Sequence, residues 1–177
     1  MAQSFLDIPG LPRGLRNNNP GNLRPLPGGV KWQGEIEPDS SNFSRFQDVG
    51  YGLRAMITDI TGDIVKDGNN TLRKLITAYA PPGDNNNTAA YIASVSQQTG
   101  LQPDQPIPVS AEWITKIILA KLNVELGAQY ASKINSNDIA EGFQRLSDQV
   151  KEWLKYTGDN NFIFLLIIAL AVYVAFK

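Results

Sequence analysis

Apolar residues recur at the three- and four-residue spacing of one helix face along much of the chain, and this pattern constrains the fold more than any other feature. Pro81, Gly100 and Gly127 stand where three of the repeats stop, and proline and glycine commonly end helices. The pattern predicts a mostly helical domain. Its principal helices are expected at residues 51–66, 72–79, 88–99 and 110–127, the last being the core helix.

A small β-hairpin and a further helix are also predicted. The letters GEIEP and SNFSRFQD, at residues 34–38 and 41–48, read as two short strands joined by a turn. An amphipathic helix is predicted further along, because apolar residues follow one another there at spacings of four and three: Ile139, Phe143, Leu146, Val150 and Trp153. That helix either packs on the domain or lies on a membrane surface.

The letters FIFLLIIALAVYVAF at residues 162–176 form an uncharged apolar run. A helix that is apolar on every side is buried in protein or lies in lipid. This one covers about 22 Å, against about 30 Å for the hydrocarbon core, and Asn160, Asn161 and Lys177 extend its reach. We interpret the run as a C-terminal membrane anchor, and a buried helix is the alternative.

Composition excludes several kinds of site. The chain has no Cys and no His, and therefore lacks a thiol nucleophile, the commonest metal ligand and the commonest general base. Any catalysis must use carboxylates, hydroxyls or amides, so neither a metal nor another cofactor is expected. A net charge of -1 without a stripe of Lys and Arg argues against a nucleic-acid partner.

The letters RGLRNNNPGNLR at residues 13–24 contain three consecutive Asn and a Pro-Gly pair. Asn and Gly tolerate left-handed backbone, and Pro-Gly is a strong turn signal. Taken alone, the stretch predicts a surface loop.

Glu125 is unusual among the acidic residues, because it lies at the end of the most apolar helix, between Val124 and Leu126. The negative end of the helix dipole and partial burial both favour a protonated carboxyl group at this place. A protonated carboxyl is what a general acid needs. The alternative is an exposed Glu in the last turn of a helix.

Two segments resemble lytic transglycosylases of the soluble, goose-lysozyme-like type. VELGAQYAS at residues 124–132 is similar to their segment in which a Glu closing a core helix is the catalytic acid, with Leu126 in place of the usual Ser. ITAYAPPGDNNNTAAYIASV at residues 76–95 is similar to their tyrosine segment, which lines the sugar groove. The resemblance implies that Glu125 is catalytic and that Tyr79 and Tyr91 bind substrate.

The asparagine-rich stretch, together with KWQGE, FSRFQD and GYGLRAMI, resembles a phage-encoded peptidoglycan-processing domain and, distantly, flagellar-type glucosaminidases. This resemblance implies that the loop enters the cleft. Asn19, Asn22 and Arg16 would then offer amide and guanidinium donors to sugar hydroxyls, acetamides or peptide carboxylates. A plain turn is the alternative.

The order of these segments differs from that of the transglycosylases, in which the catalytic Glu comes before the β-region and the tyrosine segment. Here Glu125 follows both. A circular permutation would explain the difference, since a compact domain with neighbouring termini can be opened elsewhere and keep its site.

A second carboxylate decides between two mechanisms. Hydrolytic glycosidases use two carboxyl groups, and Glu35 and Glu37 on the predicted hairpin are the weaker alternative candidates for catalysis. The transglycosylase resemblance implies a single Glu, which protonates the leaving oxygen and then helps to close a 1,6-anhydro ring. We therefore favour the transglycosylase mechanism.

Together these patterns predict an α+β, mostly helical, lysozyme-like domain with a small β-hairpin, an amphipathic helix and a C-terminal transmembrane helix. The expected divisions are an N-terminal extension at 1–12, the lysozyme-like domain at 13–135, the connecting helix at 136–159 and the anchor at 160–177.

The predicted function is that of a membrane-anchored enzyme that cleaves peptidoglycan glycan strands, as a virion protein of a membrane-containing bacteriophage during host entry. It would lie in the internal membrane of the virion or in the bacterial envelope. Its partners would be glycan strands, the lipid bilayer and other virion proteins. The alternative is a non-catalytic structural or glycan-binding virion protein.

Overall fold

The chain forms eight α-helices and one two-stranded sheet within residues 1–84 and 86–156, which the computed structural model describes. Two single-turn 3₁₀ helices, Pro27–Gly29 and Pro82–Asp84, join some of them. In chain order the elements are α1 (Arg13–Arg16), β1 (Glu35–Ile36), β2 (Arg45–Phe46), α2 (Val49–Val65), α3 (Leu72–Tyr79), α4 (Thr88–Thr99), α5 (Ala111–Leu126), α6 (Ala128–Ala131), α7 (Ser136–Gln144) and α8 (Asp148–Leu154).

Helix α2 organises the packing, because it contacts α3, α5, α7, α8 and β2. Asp48 caps its N-terminus by accepting a hydrogen bond from the backbone N–H of Tyr51. Gly142 of α7 allows α7 to approach α2 closely, since a Cβ there would lie 2.9 Å from Cβ of Leu53. The core is therefore built around both faces of one helix.

The four principal helices and the hairpin predicted from the sequence are present as α2 to α5 and as the pair β1 and β2. The helix bounds agree within two residues, because Thr71, Asn87 and Ser110 provide caps and Gly100 adopts a left-handed C-cap. In the hairpin, Glu35 pairs with Phe46 in the antiparallel sense.

The three consecutive asparagines of the asparagine-rich stretch are buried, although its arginines are exposed, and this corrects the expectation of a surface loop. Asn17, Asn18 and Asn19 are at most 5% exposed. Asn18 Oδ1 accepts a hydrogen bond from the backbone N–H of Phe5, and Asn18 Nδ2 donates to the backbone oxygen of Phe46. The loop thus ties the N-terminal segment to β2.

The single amphipathic helix expected between residues 136 and 159 is two helices, α7 and α8. Ser147 ends the continuity, because its hydroxyl caps α8 by accepting from the backbone N–H of Val150. Arg145, just before it, is held by Asp48 at 2.6 Å and by Glu141 at 2.9 Å. Both helices pack on α2.

The predicted fold class ended in a transmembrane helix, and this prediction is wrong. Among the helices of residues 1–84 and 86–156, none combines the length and the apolar character that crossing a membrane requires. The expected anchor at residues 160–177 lies outside the described residues. The membrane-anchored localisation rested on that anchor and is corrected on the same finding.

The contact between the asparagine loop and α2 predicts opposite effects for two glycines of that helix. A Cβ on Gly52 would lie 1.9 Å from the backbone oxygen of Asn18, so we expect Gly52→Ala to lower the free energy of unfolding by roughly 3 kcal/mol or more. Apart from the backbone of its own helix, a Cβ on Gly62 would have no atom of the described residues within 4 Å. We therefore expect Gly62→Ala to raise the free energy of unfolding by up to about 1 kcal/mol. Urea unfolding of both variants measures the difference, and equal stabilities would contradict the contact.

Candidate functional site

A cavity of about 640 Å³ brings together four of the predicted site residues: Asn22, Tyr79, Tyr91 and Glu125. They come from the loop after α1 and from α3, α4 and α5 respectively. The volume lies in the range of small-ligand sites, about 300–1,000 Å³. The proximity that the permutation hypothesis requires, with Glu125 beside the tyrosine segment, is therefore present, and the hypothesis itself stays a prediction.

Glu125 is half-buried and both of its carboxyl oxygens accept a hydrogen bond. Tyr91 donates its hydroxyl to Oε1 at 2.8 Å, and Asn22 donates from Nδ2 to Oε2 at 2.9 Å. These two donors come from α4 and from the loop after α1, so the carboxyl group is oriented by tertiary contacts on both sides. Each oxygen keeps a second lone pair for a ligand or a proton.

The two tyrosines form one side of the site. Their rings meet edge to face, with centroids 6.2 Å apart and planes at 86°. The Tyr79 hydroxyl donates to the backbone oxygen of Gly21, which ties α3 to the asparagine loop. Burial raises the pKa of both hydroxyls, and the charge of Glu125 adds to the effect. Tyr91 is therefore a permanent hydrogen-bond donor to Glu125 near neutral pH.

Lys121 lies one helical turn before Glu125 and is only 1% exposed. Its Nζ is 3.0 Å from the centroid of the Tyr79 ring and 5.9 Å from that of Tyr91. Burial lowers the pKa of Lys121 to about 8, and attraction by Glu125, Asp59 and Asp63 opposes a larger decrease. The ammonium group is thus the positive centre of a group of three carboxylates.

Asp59 and Asp63, one turn apart in α2, also line the cavity and were not predicted as site residues. Burial raises the pKa of Asp59 to about 6, although attraction by Lys121 opposes this. Burial also raises the pKa of Asp63. The sequence shows these two acids four residues apart in an apolar helix. It does not show that their side of the helix faces α5, so it could not identify them as site residues.

The cavity has a second group of residues that the sequence analysis did not select. Trp32 and Phe43 come from the hairpin region, while Arg13 and Arg24 come from the start and the end of the asparagine-rich stretch. Aromatic rings and guanidinium groups of this kind bind sugars and anions. Only the tertiary fold brings them to the wall that Glu125 also lines.

The remaining predicted site residues do not line the cavity. Asn19 is fully buried, and its amide binds backbone atoms of Leu23 and Ser44. Arg16 is exposed. Two further carboxylates are engaged elsewhere: Glu35 binds Ser44 and the backbone of Trp32, and Glu37 is ion-paired with Lys31 at 3.0 Å.

Comparison with known proteins finds a phage relative. No protein-family model matches the chain. The chain is similar to protein P5 of Pseudoalteromonas phage PM2, with 32% identity over 134 residues, which cover 75% of this chain and 80% of that protein.

The raised pKa of Asp59 gives a prediction for the stability of Asp59→Asn. Between the ordinary value of 3.8 and about 6 the folded state binds the proton and the unfolded state does not, so wild-type stability falls as the pH rises through this window. Asn cannot ionise, so the variant does not lose stability in this window. The free energy of unfolding of the variant minus that of the wild type should therefore increase by roughly 1–3 kcal/mol between pH 4 and pH 7.

Urea unfolding of both proteins at five pH values between 3 and 7 measures the trend. Lys121 does not contribute to it, because its pKa of about 8 leaves the group charged throughout. Asp39→Asn serves as a control of opposite sign. Although burial acts to raise the pKa of Asp39, hydrogen bonds from Phe43, Asn17 and Ser41 hold it below 3.8, so the destabilisation should shrink as the pH falls below 4. A pH-independent effect of Asp59→Asn would contradict the prediction.

Proposed function

The chain belongs to the family of protein P5 of Pseudoalteromonas phage PM2, and we propose that it is a phage virion protein that cleaves the glycan strands of peptidoglycan during entry into the host. The observation that carries the proposal is the placement of Glu125: one carboxyl group, oriented by two donors, at the wall of a cavity large enough for sugar residues.

The cavity lining supports a carbohydrate as the ligand. Trp32 and Tyr79 provide apolar ring surfaces of the kind that pack against the faces of sugars. Asn22, Asp59 and Glu125 provide amide and carboxyl groups that pair with hydroxyls and acetamides. Sugar binding needs both kinds of group on one wall, since a sugar presents apolar faces and polar edges.

Glu125 acts as the acid and then as the base in the proposed reaction. Its proton passes to the glycosidic oxygen as the bond from that oxygen to C1 of the sugar breaks, so that the leaving strand departs as an alcohol. The carboxylate then accepts the proton of the sugar's own C6 hydroxyl, whose oxygen attacks C1 and closes a 1,6-anhydro ring. Tyr91 and Asn22 stabilise the carboxylate between the two steps through their hydrogen bonds.

Hydrolysis is the second candidate reaction, and Asp59 is the observation that favours it. Asp59 lines the same cavity as Glu125, whereas Glu35 and Glu37 do not. A second carboxylate can direct a water molecule to C1 in place of the C6 hydroxyl. In that case a strand with a reducing end is released.

The products distinguish these possibilities. The full chain is incubated with purified peptidoglycan and the released muropeptides are identified by mass spectrometry. Products with anhydro ends support the proposed transglycosylase reaction, and products with reducing ends support hydrolysis. If no fragments are released, a non-catalytic structural or glycan-binding virion protein is the better account.

Glu125→Gln should reduce the rate of glycan cleavage by at least about 10²-fold, because Gln cannot deliver a proton to the leaving oxygen. Its side-chain oxygen still accepts from Tyr91, and its amide nitrogen can donate to Oδ1 of Asn22 once that amide group turns over, so we expect the thermal unfolding curve to change little. The initial rate of muropeptide release and a circular dichroism melt test both parts of the prediction.

Glu112→Gln is the matched control, since it makes the same chemical change at the other end of α5, where Glu112 pairs with Lys116. That variant should retain wild-type cleavage. Near-full activity in Glu125→Gln, with loss of activity in Glu35→Gln or Glu37→Gln, would assign the acid to the hairpin instead.

A further inference from the structure

Two arginines of the cavity are stacked on one aromatic ring. The guanidinium carbon of Arg13 lies 3.8 Å from the centroid of the Phe43 ring, and that of Arg24 lies 4.3 Å from it. All three residues line the cavity that Glu125 also lines. Stacking holds the two planar cations in a defined place, which reduces the entropy lost when they bind a ligand.

Neither guanidinium group has an ion-pair partner among residues 1–84 and 86–156, where no carboxylate oxygen lies within 4 Å of a nitrogen of Arg13 or Arg24. Arg24 Nη1 donates to the backbone oxygens of Ser41 and Asn42, each at 3.2 Å. Its other two nitrogens donate to no acceptor in the same part of the chain and can bind a ligand.

Asp39 is the acid whose charge interacts with Arg13, but its oxygens are engaged elsewhere. Oδ1 accepts from the backbone N–H groups of Ser41 and Phe43, and Oδ2 accepts from Asn17 Nδ2 at 2.7 Å. The positive charge of the stacked pair therefore remains available at the cavity wall, where both arginines are exposed.

The other charged groups of the described lining are carboxylates: Asp59, Asp63, Asp84 and Glu125. They repel an anionic group of a ligand, and the arginine pair attracts it. An anionic ligand therefore has one favourable orientation in the cavity, with its anion against Arg13 and Arg24.

We propose that Arg13 and Arg24, held on Phe43, form a subsite for carboxylate groups carried by the glycan strand. The inference rests on the proposed function, and it specifies the substrate class as a strand with free carboxylates. On sugars that carry a stem peptide these groups belong to the peptide, because the lactyl carboxyl is then part of an amide, and on sugars without a peptide they are the lactyl carboxylates. Guanidinium forks bind carboxylates through paired hydrogen bonds in either case.

Binding is measured by isothermal titration at low salt with the Glu125→Gln chain, so that the strands are not cut. The probes are soluble strands with free carboxylates and the same strands after their carboxylates have been coupled to methylamine. We expect the free strands to bind at least about tenfold more tightly than the blocked strands. Adding Arg13→Gln and Arg24→Gln should remove this preference and leave the affinity for blocked strands unchanged.

The control variant with Arg73→Gln and Lys74→Gln also loses two positive charges, but from exposed positions of α3 outside the cavity lining. This variant should still bind the free strands more tightly than the blocked strands. Arg13→Lys with Arg24→Lys keeps the charge but not the paired geometry, and should lose most of the preference. Intact and amidase-treated strands identify the source of the carboxylate, because an amidase that removes a stem peptide also frees the lactyl carboxylate to which the peptide was joined. A preference for free over methylamine-coupled strands that is found only with intact strands assigns the subsite to peptide carboxylates, and one found only with amidase-treated strands assigns it to lactyl carboxylates. A preference found with both shows that the subsite takes either group.

Equal affinity for free and blocked strands, or equal weakening of both by the arginine substitutions, would overturn the subsite while leaving glycan binding intact. Absence of binding to every strand would instead overturn the proposed function together with the subsite.

Discussion

The buried asparagine side chains of residues 17–19 are the interaction on which the rest of this structure depends. A sheet with two residues in each strand is too short to be stable by its own hydrogen bonds. Asn18 and Asn19 supply the missing ones, since their amides bind the backbone of Phe5, Leu23, Ser44 and Phe46. An amide side chain is suited to this role because it donates and accepts at the same time, which satisfies buried backbone groups of both kinds.

The same loop assembles the site. Gly14 lies against Leu126 at the end of α5, and a Cβ at Gly14 would lie 2.8 Å from Cδ2 of Leu126, which would have to move away. This contact brings Asn22 to Glu125 across 103 residues of sequence. In the same loop, the backbone oxygen of Gly21 accepts a hydrogen bond from the hydroxyl of Tyr79. The position of the carboxyl group in the cavity is therefore a consequence of how closely the loop packs on two helices.

Helices were predictable and the loop was not, because their signals differ in range. Apolar periodicity is local, whereas the burial of Asn18 depends on the distant Gly52, and a run of polar letters by itself indicates the surface. The prediction of a single helix after residue 136 was wrong because the apolar spacing continues without a break past Ser147, which caps a second helix. Glu125 was selected by its place at the end of the most apolar helix and by a segment that resembles a known family, and the two tyrosines were selected by such a segment alone. Asp59 belongs to no such segment, and its place at the cavity depends on the packing of α2 against α5.

The charged groups under the cavity form one electrostatic cluster around Lys121. Glu125, Asp59 and Asp63 all attract its ammonium group, so the charge of this buried lysine does not depend on a single acid. A buried lysine with one partner would be left without a counter-charge if that partner were lost, at a cost of several kcal/mol. Because Lys121 and Glu125 belong to α5 while Asp59 and Asp63 belong to α2, the same attraction also joins the two helices that line the cavity.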